Sequence, residues 1–214
     1  MTPATPPLPA LSGDWFQFRA LGDGLTLITE PHVVPLLRCN IWHVQGRELD
    51  LVIDTGLGVA SLYQASRHLF GQRVAALATH VHLDHVGGHH EFAECWCHRL
   101  EAPGLRGADP AFTLGDIDLA HLDFDAPGYE TGGPALTALP APGYDLSAWQ
   151  VRQASVTREL DEGDVIDLGN RHFEVLHLLG LPVQVVHAGH DPSFGRDRLR
   201  ELALAYLERL DDPA

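Results

Sequence analysis

Hydrophobic and polar positions alternate with a period of two through much of the first third of the chain. Runs at about 15–19, 26–30, 38–43 and 50–54 predict β-strands, with Gln45-Gly46-Arg47 as a hairpin turn. At 59–70 the spacing becomes helical: Val59, Leu62, Ala65 and Leu69 share one face, and Gly71 closes the segment. The run Val74-Ala75-Ala76-Leu77-Ala78 reads as a buried strand, and 88–93 as the opening of a helix. Strand patterns return at 155–160, 165–168 and 172–178, with turns at 161–164 and 168–171. A last strand at 182–187 leads through a loop into a helix at 198–210. Two stretches lack this patterning. Residues 1–13 are Pro-rich and read as a flexible arm ahead of a single domain at 14–214. From about 104 to 153, Pro, Gly, Asp and aromatic residues such as Phe124, Tyr129, Tyr144 and Trp149 dominate, which reads as an insertion.

The strand at 74–78 runs into Thr79-His80-Val81-His82-Leu83-Asp84-His85-Val86-Gly87-Gly88. Three imidazoles and a carboxylate fall within six residues, the donor set that a borderline-soft cation such as zinc prefers. His80 and His82, two apart in extended chain, point the same way and can share one metal. Asp84 and His85 follow where the chain turns and could face a second metal. Gly87-Gly88 lets the backbone bend sharply afterwards.

His-x-His-x-Asp-His after a short strand resembles the metallo-β-lactamase-fold hydrolases. The strand-end sequence Leu51-Val52-Ile53-Asp54-Thr55-Gly56 supports the resemblance. Further stretches are similar to the branch that includes the metallo-β-lactamase-domain acyl-CoA thioesterases: Leu21-Gly22-Asp23-Gly24, Asn40-Ile41-Trp42, Glu162 to Gly169, and His190-Asp191-Pro192-Ser193-Phe194-Gly195. The resemblance implies an α/β fold, a four-layer αββα sandwich. It implies that Asp54 braces the metal loop by hydrogen bonding, and that His190 is the last ligand of the second site. An insertion after the metal loop often caps the active site in this fold, which suggests the same for 104–153; a plain surface excursion is the alternative.

The pattern breaks after Leu178. Family members continue into a Pro-Gly-His element and a further Gly-Asp strand end, each carrying a ligand. This chain passes directly to its last strand, so the second half reads as shortened by an internal deletion. His80 and His82 then remain for the first site, and Asp84, His85 and His190 for the second. His177 or His187 could substitute, but neither matches a ligand position; His177 reads as a strand-end residue and His187 as packing beside the site. Unpaired strand edges left by the deletion imply a homo-oligomer in which two chains complete each other, a marginal domain, or a deletion product that folds poorly.

The reading that follows is a metal-dependent hydrolase carrying one or two zinc ions, with iron or manganese as alternatives. A metal-bound hydroxide, oriented by Asp84, would attack a thioester or a related ester or lactone carbonyl of a small-molecule substrate. Two other readings stand beside it: a catalytically impaired remnant that has lost two ligands, and a mononuclear site of the two-His, one-carboxylate oxygenase type.

Composition narrows the partners. A formal charge of −15 disfavours nucleic acid, which would be repelled at long range. It also requires a local basic patch for an anionic carrier such as coenzyme A; Arg196, Arg198 and Arg200 are the dense candidate. All 14 basic residues are Arg, a bias expected of a GC-rich bacterial genome. The N-terminus has no signal-peptide pattern and no apolar run reaches membrane-spanning length, so a cytoplasmic location is expected. Cys95-Trp96-Cys97-His98 could be a metal site, but alternate burial on a strand explains the two thiols more simply.

Overall fold

The computed structural model describes residues 8–71, 73–107, 113–115 and 134–175, together with the strand backbone at 185–186 and 194–195. Among them, a mixed sheet follows chain order: β1 (Gln17–Gly22), β2 (Leu25–Thr29), β3 (Ile41–Val44), β4 (Asp50–Ile53), β5 (Val74–Ala78), β6 (Glu94–His98) and β7 (Val156–Leu160). β1 to β4 pair antiparallel, and β4 to β7 parallel. Connection length explains the change. Gly22, Asp23 and Gly24 all take positive φ and turn β1 straight into β2. The longer links after β4 and β5 cross over and carry the short helices α1 (Leu62–Ser66) and α2 (Leu83–Val86).

Alternation assigns the two faces of this sheet. Ile28, Ile41, Val52, Ala76, Ala78, Cys95 and Cys97 bury one face beneath the helices and loops, with Leu57, Leu62, Leu105, Leu136 and Trp149. Val44, Leu51, Ala75, Trp96 and Leu160 bury the other against Ile166 and Leu168. The latter two belong to a hairpin of β8 (Val165–Asp167) and β9 (His172–Glu174). A pair of two-residue strands, β10 (Val185–Val186) and β11 (Phe194–Gly195), completes the described elements. Among the described residues a helical layer, the large sheet and the short β8–β9 hairpin are in place, consistent with the αββα fold. The expected helix at 198–210 lies outside the described residues. Among the described residues no helix is long and apolar enough to cross a membrane.

Two local expectations change. α1 begins only after Ser61, whose side chain accepts from Gln64 N–H, because Gly58 must first turn with φ +72°. The segment at 88–93 forms a single 3-10 turn, His89–Glu91, since Phe92 is already extended. Glu91 instead serves α1: its carboxylate accepts from the Ser61 hydroxyl and from Tyr63 N–H. Residues 9–11 hydrogen-bond to the later stretch, as Leu11 N–H donates to Leu139 O and Leu139 N–H donates to Pro9 O. Within 104–153, the helix α3 (Ala102–Arg106) runs into the stretch, and Leu136 and Trp149 pack on the helix-covered face.

Candidate metal centre

β4 and β5 are neighbouring parallel strands with Ile53 opposite Leu77, so their carboxyl ends emerge side by side. Open α/β sheets characteristically place sites at this end. Asp54 leaves β4 with φ +58°, a left-handed conformation that Asp tolerates better than most residues. That turn aims its buried carboxylate at the loop following β5. Asp54 accepts from Thr79 N–H at 2.8 Å and from the Thr79 hydroxyl at 2.8 Å. It also accepts from His85 Nδ1 at 2.7 Å. With Nδ1 committed, His85 has Nε2 left for a ligand role.

The two loops are clamped backbone to backbone. Thr55 N–H donates to His85 O at 2.7 Å, and Gly87 N–H donates to Gly56 O at 2.9 Å. A Cβ on Gly58 would lie 2.4 Å from the Gly87 carbonyl carbon, and one on Gly87 would lie 2.3 Å from that of Leu57. Only glycine permits that approach. Two carboxylates secure the edges. Glu101, just ahead of α3, accepts from Val81 N–H at 2.9 Å, between His80 and His82. Fully buried Glu30 accepts from Trp15 Nε1 at 2.9 Å and from Leu57 N–H at 2.8 Å. Burial, above all, pushes its carboxyl up to about 7.

Four of the expected ligands, His80, His82, Asp84 and His85, are near neighbours. The ring centroids of His80 and His85 are 4.1 Å apart, and those of His80 and His82 are 4.5 Å apart. Asp84 Oδ2 lies 3.5 Å from His85 Nε2. Burial and the neighbouring imidazoles lower the pKa of His80, which favours its neutral, ligating form. Converging imidazoles, a carboxylate beside them and an Nε2 directed by its partner make a donor set that fits a divalent transition metal.

Among the described residues, Cys39, Asp54 and His85 are the grouping whose potential ligand atoms all lie within 4.8 Å of one another. Its geometry is that of hydrogen bonds rather than of an ion cradle. Cys39 Sγ sits 3.5 Å from the same His85 Nδ1 that Asp54 already engages. Burial drives the Cys39 thiol well above its ordinary pKa, whereas thiolate is the ligating form.

The imidazoles open into a cavity of about 870 Å³ between the large sheet and the β8–β9 hairpin. Leu25, Trp42, Val44 and Ile53 are among its lining, and Leu21, Asp23, Arg171 and Phe173 belong to it from the β1–β2 and β8–β9 hairpins. This volume suits a small-molecule ligand. None of the described residues of 107–153 lines it.

His190, His177, His187 and the Arg196, Arg198 and Arg200 group lie outside the described residues. Cys95 and Cys97 are buried on one face of β6, and Cys95 Sγ donates to His89 O at 3.1 Å, as a structural role requires. Glu30, Glu101 and Arg171 escape a reading for ligand motifs. Glu30 did carry a signal, since period two in β2 puts it inside with Ile28. Glu101 and Arg171 carry none, because their contacts join segments distant in sequence.

A family model described as Metallo-beta-lactamase superfamily matches residues 34–195. The chain is 35% identical over 182 residues to the acyl-coenzyme A thioesterase MBLAC2 of Homo sapiens, over 78% of this chain and 59% of that protein. Its likeness to the Gallus gallus protein of the same name is 36% over 176 residues, covering 78% and 58%. The chain thus spans about 59% of the length of the human relative it matches. A metallo-beta-lactamase family protein from Thermus thermophilus has the same fold, with a TM-score of 0.57 at 19% identity over 90% of this chain and 82% of that one.

Proposed function

The chain belongs to the Metallo-beta-lactamase superfamily, and from that premise we propose that it is a metal-dependent hydrolase of acyl thioesters. One observation carries the reading: the imidazoles of His80, His82 and His85 cluster beyond the carboxyl ends of β4 and β5, with Asp84 beside His85, and line a largely apolar cavity. The likeness to acyl-coenzyme A thioesterases supports thioesters ahead of lactones and β-lactams.

His80, His82, Asp84 and His85 would hold the ion, with His190 as a further ligand. Zinc suits the set best, and iron or manganese are the alternatives. Such an ion supplies a Lewis acid and a water reactive near neutral pH. Asp54 keeps Nδ1 of His85 occupied, so that the imidazole presents Nε2. Asp84 would accept a hydrogen bond from the attacking water and orient it. Apolar walls of Trp42, Val44 and Ile53 hold the acyl portion and exclude bulk water.

The test is thiol release from an acyl thioester by untagged protein. Turnover should stop with a chelator, return with zinc, and fall by about 10²-fold or more in Asp84→Ala. Turnover indifferent to both would refute the proposal. Bound metal without turnover would favour the impaired remnant.

A further inference from the structure

The cavity has two chemically different ends. One holds the imidazoles, which follow β5. The other lies at the β1–β2 turn, where Arg171 donates to Asp23 Oδ1 at 3.3 Å. β2 and β5 are separated by β3 and β4, which sets the two ends about 14 Å apart across the sheet at ordinary strand spacing. A further offset runs along the strands, because Gly24 lies level with Gln45 and the imidazoles lie beyond the Ile53–Leu77 pair. Between them lie Leu25, Val44, Trp42 and Ile53. Register places these side chains on one face, as Leu25 pairs with Val44 and Trp42 with Ile53.

Arg171 is an unusual occupant of such a wall. It sits in the β8–β9 turn, its carbonyl fixed by Leu168 N–H, and Phe173, two residues on, faces the same cavity. Its side chain is only 26% exposed, whereas that of Asp23 is 95% exposed. An ion pair with one partner in open water contributes little and is readily exchanged. A ligand anion entering along the cavity can therefore replace Asp23, which returns to water at small cost. The same anion would gain a forked, charge-assisted contact with the guanidinium.

We propose that Arg171 recognises a carboxylate at the far end of the acyl chain, so that the preferred substrates are thioesters of ω-carboxy acids. The chain's methylenes lie along Leu25, Trp42, Val44 and Ile53, with the scissile carbonyl at the imidazoles. A phosphate on the thiol carrier is the competing source of an anion. The amides of such a carrier would leave polar groups unpaired along this apolar floor, which favours the acyl chain there.

This inference rests on the thioesterase reading for its substrate class, but binding alone tests it. Sebacate and decanoate share one carboxylate and an apolar chain of equal length, and differ in the second carboxylate. Calorimetric titration of the full chain should show sebacate binding roughly tenfold or more tightly than decanoate. Arg171→Gln should erase that preference. Equal affinities in the wild type, no binding of either acid, or a preference that survives in Arg171→Gln would overturn the proposal. Turnover of the two neutral-carrier N-acetylcysteamine thioesters should show the same preference, with Arg171→Gln raising KM for the ω-carboxy substrate and sparing kcat. An Arg171 effect seen only with coenzyme A thioesters would assign the anion to the carrier and overturn it. Loss of all turnover with the binding preference intact would remove the thioesterase reading and leave this one standing.

Discussion

Asp54 Oδ2 lies 2.7 Å from His85 Nδ1, and the same carboxylate holds the backbone N–H of Thr79 at 2.8 Å. A single residue at the end of β4 thereby fixes both the start of the histidine loop and the orientation of an imidazole near its finish. Asp54→Ala should lower metal affinity by about 10- to 100-fold, as loss of an imidazole-orienting partner does. Competition with a chromophoric chelator measures this. Unchanged affinity would show that His85 needs no such partner.

Cys39 tests whether the neighbouring grouping binds metal. If the thiol serves only as a buried polar contact to His85, Cys39→Ser should keep the wild-type metal content and affinity. His85→Ala should lose both. Loss of metal in Cys39→Ser would move the centre to Cys39, Asp54 and His85.

Gly58 shows how tightly the two loops approach. Its φ of +72° and the 2.4 Å clash awaiting a Cβ predict that Gly58→Ala destabilises the chain by about 3 kcal/mol. Gly13 is the control, since a Cβ there meets nothing within 4 Å. Urea denaturation of both variants should show a large shift in the first and almost none in the second. Equal midpoints would mean that the loops part without cost.

Much of this arrangement is legible in the sequence because it is local. The His80–His85 motif and Asp54 each sit at the end of an apolar run, and the runs at 50–54 and 74–78 are β4 and β5. Helix lengths were harder. The periodicity of 59–70 continues past α1 in both directions, yet the turn at Gly58 and the cap at Ser61 delay the helix. Contacts between distant segments leave no local trace. Val81 to Glu101, Trp149 Nε1 to Leu57 O and Arg171 to Asp23 all depend on which loops the topology places together.

Two buried groups should give the stability profile opposite slopes with pH. Glu30 is pushed from 4.5 up to about 7 in the folded chain, so folding takes up its proton. Its contribution is complete below pH 4.5 and is lost as pH rises through about 7. His89 is pushed from 6.5 down to about 4 by burial, so the unfolded chain takes up that proton first. Its contribution is complete above pH 6.5 and is lost as pH falls through about 4. Denaturation free energies measured across about pH 4 to 8 should lose the first slope in Glu30→Gln and the second in His89→Gln. Slopes unchanged by both variants would rule out these two groups as the cause.

The central claim is that the histidine loop is a metal centre, and native mass spectrometry of untagged protein tests it most directly. Wild type should carry at least one transition-metal ion per chain, and the double variant His80→Ala, His82→Ala should carry less. His85→Ala should carry none. A metal-free wild type, or equal metal content in all three proteins, would contradict the account.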